Sequence, residues 1–95
     1  MNTAIDTYFD IGRDAAEVST WKRIFHYDAD DSSLIWHRDK KDREITVIKG
    51  NGWKLQLDNE LPEHLFVGKS YTIPAMTYHR ILKGKNDLHL FIRES

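Results

Sequence analysis

Apolar and polar positions alternate at period two along most of this chain, in short runs broken by polar or glycine-bearing turns. The clearest run is Trp53-Lys54-Leu55-Gln56-Leu57-Asp58, the pattern of a strand with one buried face. Similar runs rich in aromatic and β-branched residues occupy 21–27, 34–37, 44–48, 63–67, 70–73, 78–82 and 88–92. Asn51-Gly52 marks a hairpin, because both residues accept positive φ cheaply. Tyr8, Phe9 and Ile11 suggest an extra edge strand. One segment, Asp14–Ser19, reads as a helical turn, with Asp14 as cap and Glu17 three residues on.

Eight or so short strands at this spacing predict an all-β fold, an antiparallel barrel or sandwich. At 95 residues the chain makes one domain, 1–95, and buries roughly two-thirds of its unfolded surface. There is no cysteine, so neither a disulfide nor a thiolate metal site is available. Fourteen basic residues against fifteen acidic ones argue against nucleic acid, whose phosphates require surplus positive charge. No run approaches the ~18 apolar residues that cross a bilayer, and the first residues lack the basic-then-apolar order of a signal peptide. A soluble cytoplasmic protein is the expectation.

The stretch Gly68-Lys69-Ser70-Tyr71-Thr72-Ile73-Pro74 ends a good strand on a residue that cannot donate to a ladder. The chain must turn over Ala75-Met76-Thr77 and re-enter a strand at Tyr78, leaving His79 near a barrel mouth. Gly68, Pro74 and His79 stand at the spacing of the second motif of the cupin superfamily, which this sequence resembles. Met76 replaces that motif's middle glycine and Lys83 its asparagine. Anchored on Gly50, the family's first motif places His37 at its first histidine, Asp39 at its second, Arg43 at its glutamate and Asp31 at its leading glycine. The resemblance covers 31–92 and implies a small jelly-roll barrel, with 31–95 bearing the motifs and 1–30 supplying N-terminal strands. In the family the histidine at the position of His79 is a metal ligand.

Residues 37, 39, 43, 45 and 47 share one parity, and apolar Ile45 and Val47 should face the interior, so His37, Asp39 and Arg43 are expected inward. Glu44 is expected outward. The apolar set Trp53, Leu55, Leu57 implies a bulge at the neighbouring glycines. The first functional reading is a small polar or anionic ligand, sugar- or carboxylate-like, bound in the mouth by His37, Arg43 and His79. Asp39 would orient, and Tyr78 and Trp36 would stand nearby. His37 could serve there as a general base.

The second reading is a metal-dependent enzyme of isomerase, epimerase or oxygenase type. His37, Asp39 and His79 form a two-histidine, one-carboxylate set suited to iron, manganese or zinc. Arg43 stands against it, being permanently charged and unable to ligate, and is expected to pair with Asp39. The third reading is a non-catalytic interaction module. Asp28, Asp30 and Asp31 lack the glycine and glutamate of a calcium loop, and His26, His64 and His89 read as strand residues facing solvent. Trp21 and Trp53 read as core or interface. An open barrel leaves edges, and a homodimer exchanging residues 3–11 would cover them.

Overall fold

The computed structural model describes residues 5–9, 18–28 and 34–95. They form eight antiparallel strands: β1 (Ile5–Phe9), β2 (Ser19–Phe25), β3 (Arg43–Lys49), β4 (Lys54–Leu57), β5 (Glu63–His64), β6 (Ser70–Ile73), β7 (His79–Leu82) and β8 (Leu88–Glu94). One sheet has the order β1-β2-β8-β3-β6 and the other β5-β4-β7. The all-β jelly-roll expectation holds, although the sheets stay two open layers and do not close into a continuous barrel. The helical turn expected at 14–19 falls mostly outside the described residues, and its last residue, Ser19, opens β2.

Period-two alternation builds the core. Trp21 and Phe25 of β2, Ile45 and Val47 of β3, Leu55 of β4, Ile81 of β7, and Leu88, Leu90 and Ile92 of β8 turn inward between the sheets with Trp53 and Leu65. Trp53 is fully buried, its indole N–H donating to the Asn86 carbonyl. Where the alternation slips, the backbone gives the reason. β3 holds its register on β8 to Val47↔Leu90 and then shifts, so that Lys49 faces His89. The bulge therefore falls at Ile48, just ahead of the glycines, and rephases the chain so that Trp53 and Leu55 point inward.

Two expected strands are shorter than their sequence pattern. The run 34–37 is not a strand: His37 alone forms a bridge, to His79. Two residues on, Asp39 accepts from the Met76 amide in the turn after Pro74, and the ladder stops after one rung. The run 63–67 contracts to β5, because the chain then crosses to the other sheet through a turn at Gly68 with φ +85°. The Tyr71 hydroxyl braces that crossing, donating to the His64 carbonyl and accepting from the Phe66 amide. The edge strand expected at 8–11 is β1, which pairs in register with β2 of the same chain, from Ile5↔Phe25 to Phe9↔Trp21.

The turn from β6 to β7 carries strain. Pro74 ends β6, the Thr77 amide closes the turn on the Pro74 carbonyl, and Met76 sits at φ +63°. A left-handed backbone costs a residue with a Cβ about 1–2 kcal/mol, which explains why a glycine suits this position. Met76 is half exposed and contributes no core packing in exchange. Met76→Gly should stabilise the protein by about 1 kcal/mol, read as a raised denaturant midpoint with an unchanged slope.

Candidate metal centre

The site is assembled by backbone bonds before any side chain acts. His37 and His79 exchange both amide–carbonyl bonds, at 3.0 and 2.8 Å. The Met76 amide donates to the Asp39 carbonyl at 2.7 Å, and the Ala75 amide to Asp42 Oδ1 at 2.7 Å. The Ser95 amide donates to the Asp42 carbonyl. The segment 37–42 is thus stitched to the β6–β7 turn and to the end of β8, although it is not itself a strand.

This stitching brings His37, Asp39 and His79 together, with one ligand atom from each lying within 4.8 Å of the others. The two imidazoles pack edge to face, 4.2 Å between centroids. His79 is the buried member, at 3% exposure, while His37 is exposed and its Nδ1 lies 3.3 Å from the Ile35 carbonyl. Among the described residues no other such group of three metal-ligand types forms. His26 faces Asp87 and His64 packs against Phe66, both away from this cluster.

Protonation decides what the cluster can do. His79 Nδ1 lies 2.8 Å from the Thr77 carbonyl, which can only accept, so Nδ1 carries the ring proton. Burial pushes the His79 pKa below 6.5, aided by His37 and Arg43 and opposed by the Thr77 bond and by Asp39. At neutral pH the ring is therefore neutral, and Nε2 presents a lone pair. Nε2 stands 3.3 Å from Asp39 Oδ2, a spacing that would be an ion pair only if the ring were charged. Burial makes the neutral form the better description. Asp39 Oδ2 is buried and has no hydrogen-bond partner. Two buried acceptor atoms facing each other leave room for something positive between them.

A first-row divalent ion fits that gap. Donors about 2.0–2.2 Å from such an ion and in cis to each other stand roughly 3 Å apart, close to the observed 3.3 Å. The Nδ1–H···O=C bond is also the orienting contact that ligating histidines commonly make.

Arg43 does not oppose the ion as its position in the sequence suggests. Its Nε donates to Glu94 Oε2 at 2.8 Å, and its Nη2 lies 3.3 Å from Asp39 Oδ1. Its guanidinium also stacks over Trp21 at 5.1 Å. The expected Arg43–Asp39 pair forms, and Glu94 absorbs the remaining charge. Arg43 takes one Asp39 oxygen and leaves the other aimed at His79, so it orients the carboxylate. Sequence reasoning missed Glu94, the second partner of Arg43. The available signal was parity: Glu94 is in phase with Leu88, Leu90 and Ile92.

Trp36 and Tyr78, expected at the mouth, leave the bridge on the side opposite the imidazoles, being one residue out of phase with them. They are 40% and 43% exposed, with Arg80 stacked on Trp36 and Arg38 on Tyr78. Period two, applied to 36/37 and 78/79, separates them from the site.

No family model matches the sequence, and no curated protein does. Solved structures do match in three dimensions. An RmlC-like cupin from Shewanella frigidimarina superposes with a TM-score of 0.76 at 14% identity, over 100% of this chain and 78% of that one. The chain has the cupin fold. KdgF from Halomonas sp. gives a TM-score of 0.77 at 18% identity, covering 99% of this chain and 82% of its own. A DMSP lyase gives 0.80 at 14% identity over 95% of this chain, which spans 46% of that protein's length. In this cupin framework Met76 occupies a turn whose backbone is left-handed, in keeping with the glycine of the family motif.

The unfolded chain takes up a proton on His79 from about pH 6.5, whereas the folded chain resists it to lower pH, so folding loses stability as pH falls through that interval. Metal-free protein should melt at a lower temperature at pH 5.5 than at pH 7.5. His79→Gln should reduce that difference, with thermal unfolding monitored by circular dichroism at both pH values.

Proposed function

We propose that this cupin is a metal-dependent small-molecule protein, in which His37, Asp39 and His79 hold one divalent transition ion, iron, manganese or zinc. The remaining coordination positions would accept oxygen atoms of a small polar or anionic ligand. The observation that carries the reading is the buried, unpartnered Asp39 Oδ2 opposite the His79 Nε2 lone pair. A bound ion would polarise a carbonyl or lower the pKa of a bound water. Within the protein, Thr77 fixes the His79 tautomer, Arg43 and Glu94 fix the carboxylate, and the His37–His79 bridge sets the spacing.

The metal-free pocket is less well supported. Arg43 is already engaged by two carboxylates, and Asp39 directs its free oxygen to His79, so it does not orient His37 as a general base. The neighbours include a lyase, so this fold accommodates catalysis, but at 14–18% identity no reaction carries across.

Protein purified without added metal and then equilibrated with zinc or manganese should bind one equivalent by elemental analysis. Asp39→Asn, nearly isosteric, should weaken binding at least tenfold. A wild-type chain that takes up no ion at micromolar concentrations, or an Asp39→Asn variant that binds as tightly, would remove the metal reading. We also propose a homodimer that covers the outer edge of β1, and light scattering should then give the mass of two chains.

A further inference from the structure

The small sheet carries a second concave surface at its other end. β4 runs from Lys54, paired with Leu82, to Leu57, paired with His79. The candidate metal centre lies at the Leu57 end. A groove of about 640 Å³ opens at the Lys54 end, roughly 10 Å along the strand.

Both walls of this groove are fixed by hydrogen bonds. One wall is the β3–β4 turn, Gly50 to Gly52, locked against the β7–β8 turn. There the Lys85 amide donates to the Asn51 carbonyl, the Asn51 amide to Asn86 Oδ1, and the Trp53 indole to the Asn86 carbonyl. The turns meet so closely that a Cβ on Gly84 would strike Trp53 and the Asn51 carbonyl. The other wall is the crossing from β5 to β6. The Leu65 amide donates to the Trp53 carbonyl and the Gly68 amide to the Val47 carbonyl, while the Tyr71 hydroxyl holds the main chain of His64 and Phe66. The groove is therefore formed before a ligand arrives, which lowers the ordering cost of binding.

Its chemistry is one-sided. Lys54 and His64 are cross-strand partners, so their side chains stand on the same face. Lys85 reaches the groove from the β7–β8 turn, its Cγ passing beside Gly52. No carboxylate lines the groove, and among the described residues neither lysine has an ion-pair partner. Phe66 and Val67 form an apolar wall at 61% and 59% exposure, with His64 packed on the Phe66 ring. Two unpaired cations beside a braced, exposed aromatic complement an anion with a flat apolar body. Ammonium groups are point charges rather than forks, and a compact dianion can satisfy both where one carboxylate charge cannot.

We propose that this groove is a ligand site distinct from the metal centre, taking a small phosphate monoester that carries an aromatic or similarly flat apolar group. The phosphate would lie between Lys54 and Lys85, with His64 as a further hydrogen-bonding partner, and the apolar body would rest on Phe66 and Val67. The proposal does not depend on the metal reading.

The test is a titration of nitrogen-15-labelled protein at pH 7.5, followed by amide chemical shifts, with phenyl phosphate as probe. Phenyl phosphate should shift the amides of 50–54, 64–67 and 85 saturably, with the same affinity whether or not one equivalent of zinc is present. Inorganic phosphate should bind the same residues more weakly, and phenol should not bind. Lys54→Gln combined with Lys85→Gln should weaken phenyl phosphate roughly tenfold or more. Phe66→Ser should weaken it about fivefold and leave inorganic phosphate unchanged. The proposal is overturned by an equal response to phenol, by undiminished affinity in the double lysine variant, or by shifts confined to 37–42 and 79. The same amides shifting with protein concentration alone would make the groove a self-interface and overturn it too. If the double variant loses its dispersed spectrum, Lys85→Gln on the exposed turn decides: clearly weaker binding supports the site, and unchanged binding removes it.

Discussion

The paired amide bonds between His37 and His79 are the constraint on which the site depends. Residues forty-two positions apart meet because each donates to the other's carbonyl, and the side chains then follow from the parity of an antiparallel pair. Such a pair brings the two Cα atoms to about 5.5 Å, close enough for the two imidazoles to pack on each other. Asp39 arrives two residues later, on the same side, pinned through its carbonyl by Met76. The candidate ligand set is thus built mainly by backbone geometry.

Electrostatics then distinguishes this cluster from ordinary packing. A buried carboxylate is usually satisfied on both oxygens. Asp39 is satisfied on one, by an arginine that is itself restrained by Glu94, and its second oxygen meets a nitrogen whose proton lies on the opposite side of the ring. Arg43, which from the sequence looks like a charge at odds with a metal, is instead the group that leaves Asp39 half free. Reading a residue at a motif position by its own charge alone misses the partner that neutralises it across the sheet.

Much of the fold is legible along the chain because a two-layer β structure repeats its burial pattern every second residue. The spacing of Gly68, Pro74 and His79 is legible for a related reason: a positive φ, the end of a ladder and the start of the next strand each require a particular residue or position. Contacts across the sheet are less visible. That Glu94 stands opposite Arg43 depends on the β3–β8 register, which joins strands far apart in the chain and which no local pattern states. The run 34–37 looks like a strand because its composition suits one, yet the ladder that would make it one ends after a single rung. Trp36 and Tyr78 show the converse: chain neighbours of the imidazoles, they are separated from them by the alternation that places the other residues correctly.

The segment from His37 to Asp42 has one further consequence. Connecting stretches in β proteins ordinarily tolerate gained or lost residues, because nothing along them is tied down. This one is fastened at its first, third and last positions to three different partners, His79, Met76 and Ala75. A single deletion within it would invert the order of its faces, turning an indole or a guanidinium toward Asp39 and His79 and an imidazole toward water. The segment should therefore accept exchanges of one residue for another at constant length far more readily than a gain or loss of residues.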